Sequence, residues 1–196
     1  MNELIFFSHN NHKIKEIKRI LESNKLKITT LNDSSIIYGP KEKESTFNEN
    51  AIIKSNFAFK KFGRPCFADD SGICISALNN QPGVRSKRFQ KENGGLKKTF
   101  ELIINKAKQK NNFNAFFQTT IALTTNMDNT ICFEGIVQGK ISTKPLGRLG
   151  FHYDPIFIPE GTNKTYAQMS TEEKNIISHR AIAIYKLKKY LDKLFN

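Results

Sequence analysis

Residues 46–72, TFNENAIIKSNFAFKKFGRPCFADDSG, hold a helix, a break and a strand in direct succession. Thr46 is an N-cap candidate with Glu49 three residues on, the spacing of a capping box, and an amphipathic helix is expected to run to Phe62. Gly63-Arg64-Pro65 ends it. Pro65 to Ala68 then reads as an apolar strand that stops at Asp69-Asp70-Ser71-Gly72. Adjacent carboxylates repel and gain little from packing, so a cation is expected to offset them, and hard oxygen donors suit Mg²⁺. Acidic metal ligands among basic residues are what phosphate-ester chemistry needs. Asp, Ser and Gly are also turn formers, and a plain turn is the other reading.

Outward from this stretch, strands and helices alternate, which gives an α/β class. Leu4 to Phe7 reads as a strand, and 12–23 as a helix with Ile14, Ile17, Ile20 and Leu21 on one face. A short strand is expected near Lys27–Thr30, and Asp33 to Ser45 is irregular. Ile73 to Leu78 reads as a second short strand, Asn79 to Gly83 as a turn, and Leu96 to Lys108 as a helix. Asn114 to Thr125 and Thr130 to Lys140 read as long strands joined by a turn. Pro145 to Asp154 is a glycine-bearing loop before a short strand at 155–159. A capping box at Ser170/Glu173 opens a short helix, and Arg180 to Phe195 is the terminal helix.

The 196 residues point to one domain, 1–196, with two lobes. No signal pattern and no membrane-length apolar run occurs, so a soluble, cytoplasmic protein is expected. Cys66, Cys74 and Cys132 are widely spaced in apolar stretches and read as buried free thiols. The net charge of +13 suits a polyanionic partner, whether nucleic acid or a nucleoside triphosphate. It equally suits a lysine-rich composition spread over solvated faces, since the charge is mostly Lys and dispersed along the chain.

Further segments carry groups suited to a nucleotide. Ser8-His9-Asn10-Asn11-His12-Lys13 lies between a strand and a helix, where backbone N–H groups and the helix dipole favour an anion. Ser8 and Asn10 add hydrogen bonds and Lys13 a point charge; an ordinary polar turn is the plainer reading. His9 and His12 have metal-pair spacing but no third ligand nearby. Asn50 and Lys54 share a helix face that either meets an anion or is simply solvated. Ser71 can bond a phosphate oxygen beside Gly72, where the backbone can approach closely. In Gly147 to Pro155, Phe151 and Tyr153 either stack on a base or pack into the core. Lys174, His179 and Arg180 gather donors near the last helix, for phosphate or for the oxygen-rich edge of a purine.

Taken in order, SHNNHKIKEI, ENAIIKS, FADDSG, PGVRSKRF, GRLGFHYDPIF and MSTEEKNIISHR resemble the noncanonical purine nucleoside triphosphate pyrophosphatase family, also called inosine triphosphate pyrophosphatase or XTP/dITP diphosphatase. The likeness runs from Ser8 to about Ala183. It implies hydrolysis of ITP, dITP and XTP to the monophosphate and pyrophosphate with Mg²⁺, before such nucleotides enter nucleic acid. It also implies an elongated two-lobed fold, with a central mixed sheet flanked by helices and the active site in the cleft between lobes, and a homodimer. By the same likeness Asp70 is the catalytic carboxylate and a Mg²⁺ ligand, with Glu42 near the position of a second. Ser8 through Lys13 contact phosphates, Ser71 the substrate, and Phe151, His152, Tyr153, Asp154, Lys174, His179 and Arg180 the base and substrate.

His9 and His152 stand where that family usually has Gly, so a positive φ is expected at 152. Gln168 replaces a frequent acidic residue, and Ala181 a frequent Gly. In the implied mechanism Lys13 and Lys54 hold phosphates while Asp70, or Asp69 beside it, directs water at the α-phosphorus. His179 and Arg180 donate to a 6-oxo group, which rejects adenine. A pyrophosphatase for pyrimidine or other modified nucleotides is the near alternative. A basic nucleic-acid-binding protein is the alternative from another class; it leaves the Asp69-Asp70 pair without a use, and no specific nucleic acid partner is expected.

Overall fold

The computed structural model describes residues 2–22, 26–31, 39–40 and 45–195, so Glu42 lies outside the described residues. The fold is mixed α/β. Its helices and strands follow in the order β1 (Asn2–Phe6), α1 (Asn11–Leu21), β2 (Leu26–Thr30), α2 (Phe47–Phe62), β3 (Cys66–Ile75) and β4 (Gln81–Pro82). Next come α3 (Ser86–Glu92), α4 (Leu96–Gln109), β5 (Asn114–Asn126), β6 (Asn129–Ile141), β7 (Phe157–Pro159), α5 (Thr171–Ile177) and α6 (His179–Phe195). The sheet order is β2-β1-β3-β5-β6-β7, with β4 beside β3. The β1 pairings to β2 and β3 are parallel, with Phe6 opposite Thr30 and Phe67, whereas β3–β4 and β6–β7 are antiparallel.

The boundaries of α2 follow the local chemistry. Thr46 Oγ1 accepts the Glu49 N–H at 3.2 Å and donates to the Glu49 carboxylate at 2.6 Å. At the other end Gly63 takes a left-handed conformation, φ 63°, and its N–H closes on Phe59 O at 2.8 Å. The second capping box is also present: Ser170 Oγ accepts the Glu173 N–H at 3.1 Å while the Glu173 carboxylate accepts the Ser170 N–H at 2.7 Å.

The strand expected to stop at Ala68 does not stop. β3 continues through Asp69-Asp70-Ser71-Gly72 to Ile75 as one ten-residue strand, and Ser76–Leu78 forms a single 3₁₀ turn instead of continuing it. Nine of its residues are buried and only Ser71 is half-exposed, so the backbone gains ladder hydrogen bonds that a turn would forgo. The expected turn at 79–83 is real only in part: Asn79 and Asn80 have φ of 53° and 61°, and Gln81–Pro82 then pairs with β3.

The chain divides into two compact units. The first comprises Met1–Asp70, Thr119–Gly135 and Arg180–Asn196; the second comprises Ser71–Gln118 and Ile136–His179. Each has its own apolar core. In the first, Ile14, Ile17, Ile20 and Leu21 of α1 pack with Leu4 and Phe6 of β1 and with Ile184, Leu187 and Leu191 of α6. In the second, Phe100, Ile103 and Ile104 of α4 pack with Ile73, Ile75, Phe117, Tyr153 and Tyr166. Cys66 and Cys74 are buried free thiols, pushed up by burial to about 12 and about 11 respectively, while Cys132 is only half-buried. Among the described residues no helix is long and apolar enough to cross a membrane.

Gly72 is required where it stands. A Cβ there would overlap Gly83 O and lie 2.6 Å from Ser86 Oγ. Gly72→Ala is therefore expected to destabilise the protein by about 1–3 kcal/mol through overpacking, read as a lower midpoint in urea with an unchanged slope. A midpoint equal to wild type would show that the Gly83 turn gives way freely.

Candidate functional site

Successive strand residues project to opposite faces, so Asp69 and Asp70 leave β3 in different directions and meet different cations. Asp69 Oδ2 accepts from Lys13 Nζ at 2.7 Å, and Arg180 Nε lies 3.6 Å from the same oxygen. Arg180 also pairs through Nη1 with Glu16. Asp70 Oδ1 accepts from Lys54 Nζ at 2.8 Å. The repulsion that the sequence placed on a metal is thus offset by three cations from α1, α2 and α6. All these groups belong to the first unit.

This cluster is largely out of water: Asp69, Asp70 and Arg180 are 3%, 6% and 2% exposed. Burial by itself would raise the Asp69 carboxyl, but Lys13, Arg180 and Lys54 hold it well below the usual carboxylate range. Lys13 is lowered by the same burial, with Asp69 opposing the shift and Arg180 and Lys54 adding to it.

The segment Ser8 to Lys13 builds the start of α1. Asn10 is the N-cap: its Oδ1 accepts the N–H of His12 at 3.0 Å and of Lys13 at 3.3 Å, and Ser8 Oγ accepts the Asn10 N–H at 3.2 Å. His9, Asn11 and His12 are exposed, and Lys13 is turned back to Asp69. Asn50 is buried in α2 and donates from Nδ2 to Thr46 O at 3.1 Å.

The second unit holds the other named residues up to His179. Asp154 is buried, and its Oδ2 accepts both Lys174 Nζ and the Phe151 N–H at 2.7 Å. Gly150, φ 74°, allows this: a Cβ would overlap that carboxylate oxygen. Lys174 Nζ also lies 4.7 Å from the Phe151 ring centre and 5.5 Å from that of Tyr166. The His179 ring stacks flat on Phe117, with centres 4.5 Å apart and planes 9° apart. His179 and Arg180, adjacent in sequence, therefore serve different units.

Two of the loop aromatics differ in role. Phe151 is half-buried, whereas Tyr153 is buried in the core and donates its hydroxyl to Ser86 O at 2.7 Å; burial raises its phenol, which stays protonated. His152 adopts the positive φ expected of it, 51°, and its Nδ1 meets Gln90 Oε1 at 2.9 Å. His9 does not take a positive φ. Ser71 is half-exposed at the first position of the second unit.

Glu16, Phe117, Tyr166, Ser86 and Gln90 were not singled out from sequence. Only Glu16 carried a signal: it interrupts the apolar face Ile14, Ile17, Ile20, and a buried acid needs a partner. The others pair across distances in sequence that no local pattern reports.

The chain is similar to known proteins over nearly its whole length. The chain is 41% identical over 181 residues to a dITP/XTP pyrophosphatase of Flavobacterium psychrophilum, covering 92% of this chain and 94% of the relative. It is 38% identical over 195 residues to a dITP/XTP pyrophosphatase of Porphyromonas gingivalis, covering 97% and 98%. A HAM1 protein from Coxiella burnetii superposes with a TM-score of 0.89 at 34% identity, over 98% of this chain and 100% of that one. A sequence model of the Ham1 family matches residues 4–190, which take in every described candidate residue, and on that extent the chain belongs to the Ham1 family.

Proposed function

We propose that this chain hydrolyses noncanonical purine nucleoside triphosphates, dITP, XTP and ITP, to the monophosphate and pyrophosphate, and so keeps them out of DNA and RNA. The observation that carries the reading is the division of charge on β3. Asp69 is held in a buried ion network, while Asp70 is set on the other face against Lys54. The dITP/XTP pyrophosphatases among the relatives supply the substrate class.

Mg²⁺ fits this donor set. Among the described residues no group of three or more His, Cys, Asp or Glu side chains comes together. That is compatible with an ion that takes one or two carboxylates and completes its shell with water and substrate phosphates. Asp70 would hold it, with Glu42 as the second carboxylate. When bound, Mg²⁺ supplies charge neutralisation on the triphosphate and its leaving pyrophosphate.

The residues divide the remaining work. Lys54 orients Asp70, and Asp70 takes the proton from the attacking water. Lys13 and the capped N-terminus of α1 hold phosphate oxygens, with Ser8 and Asn10 adding hydrogen bonds, and Ser71 contacts the substrate from the second unit. Asp69 and Glu16 fix Arg180 and Lys13. In the second unit the Phe151 face takes the purine, and Lys174 and His179 donate to its oxygen-rich edge. The single domain acts as a cytoplasmic homodimer.

The test is pyrophosphate release from dITP, XTP, ITP, GTP and ATP with and without Mg²⁺. Turnover of the first three that disappears with EDTA and returns with Mg²⁺ is the expected outcome. No turnover of any triphosphate would overturn the assignment. Equal turnover of ATP and ITP would overturn the base selection. Activity confined to pyrimidine triphosphates would favour the alternative substrate class.

A further inference from the structure

The segment Phe151–Asp154 touches α3 through two consecutive residues. Tyr153 donates to Ser86 O at 2.7 Å, and His152 Nδ1 meets Gln90 Oε1 at 2.9 Å. Ser86 and Gln90 are one helical turn apart, so both bonds fall on the same face of α3. Ser86 is tied on its other side as well. Its single hydroxyl proton goes to Gly83 O at 2.6 Å, which leaves Oγ to accept the buried Ile73 N–H at 3.0 Å. Gly72, lacking a Cβ, lets Ser86 Oγ come this close to β3.

The geometry points to α3 as the platform that sets the purine-binding segment, with Ser86, Gln90 and Tyr153 as positioning residues that act through Phe151 and Lys174. The chain of contacts is continuous within the second unit. β3 next to Ser71 holds Ser86, Ser86 holds Tyr153, and Tyr153 lies between Phe151 and Asp154, which are closed on each other by the Phe151 N–H to Asp154 bond. Lys174 is bound to that same Asp154 oxygen and rests over the Phe151 ring, so a shift of the segment moves both groups assigned to the base. The left-handed backbone at His152 costs free energy that glycine would not incur, and the Gln90 contact offsets it while adding a second anchor. Neither anchor involves the Lys13, Lys54, Asp69 and Asp70 cluster, so base affinity and phosphate affinity are set by separate parts.

This inference rests on the nucleotide reading above, and the experiment separates the two. Wild type, Tyr153→Phe, Gln90→Ala and the double variant are compared by calorimetric binding of IMP and of pyrophosphate in Mg²⁺ buffer, alongside ITP turnover and thermal melts. Loss of one net hydrogen bond to a positioned group predicts IMP binding weakened about five- to tenfold in Tyr153→Phe, and KM for ITP raised by the same factor. Gln90→Ala is expected to weaken IMP by about threefold, and the double variant by a factor different from the product, because both anchors hold one segment. Pyrophosphate affinity is expected to stay within about twofold of wild type throughout, since no hydrogen bond to the phosphate cluster is removed. A lower melting temperature with an unchanged ratio of IMP to pyrophosphate affinity would assign these residues to stability alone and overturn the inference. Parallel loss of both affinities would overturn it too. A wild type that turns over no triphosphate would instead overturn the nucleotide reading, and this inference with it.

Discussion

Asp70→Asn is expected to lower kcat/KM for ITP by about 10²–10⁴-fold while the protein stays folded. Asn keeps the shape of the side chain and an oxygen for Lys54, but it has no basic site for the proton of water and is a poor hard ligand for Mg²⁺. The loss is expected mainly in kcat, because the substrate contacts proposed for Lys13, Phe151 and Lys174 are left in place. Pyrophosphate release at saturating ITP, read beside circular dichroism, checks it. Activity within about threefold of wild type, far short of a general-base deletion, would move the proton acceptor elsewhere.

Asp69→Asn is expected to act on stability instead. The carboxylate lies between Lys13 and Arg180 and is 3% exposed, so its neutralisation leaves Lys13 without its carboxylate partner and Arg180 with only Glu16 of the two acids described beside it. Breaking a buried ion pair from one side costs about 3–5 kcal/mol. For a chain of this size that lowers the thermal midpoint by on the order of 10 °C. The pH dependence has a defined sign. The folded carboxyl is held below its ordinary value of 3.8, so its stabilisation is present in full above that value. It is lost as pH falls from there toward the folded value, where the unfolded chain takes up the proton first. Urea unfolding between about pH 2 and 6 is expected to show a steeper acid loss in wild type than in Asp69→Asn. Equal midpoints and parallel pH profiles would show that Lys13 and Arg180 are stabilised by other groups.

The two variants separate roles that adjacent identical residues conceal. In sequence, Asp69 and Asp70 form one acidic spot. In the fold, strand alternation sends one carboxylate to Lys13 and Arg180 and the other to Lys54.

Some elements were legible because their signals are local. The caps at Thr46 and Ser170 and the stop at Gly63 each depend on residues within one turn of the helix end, and the structure carries them as read. The apolar face of α1 came from its period, whereas the left-handed backbone at His152 was expected from the family resemblance, in which glycine is usual there. The course of β3 was not legible. Asp-Asp-Ser-Gly has turn chemistry locally, and a strand through it is stable only because lysines and an arginine from three separate helices neutralise the acids. α3 was missed for a related reason: its anchors to Ile73, Tyr153 and His152 lie outside its own seven residues.

By itself the sequence determined the α/β alternation, the ends of α2, the start of α5 and which polar residues had to be explained, because helix caps and hydrophobic period are properties of neighbouring residues. Only the tertiary structure decided what each of those polar residues does. It set Asp69 in an ion network and Asp70 against Lys54, sent His179 to Phe117 and Arg180 to Glu16, and turned Tyr153 into the core with its hydroxyl on Ser86. The physical reason is that a buried charge or hydroxyl takes its role from the partner that satisfies it, and here those partners come from distant parts of the chain.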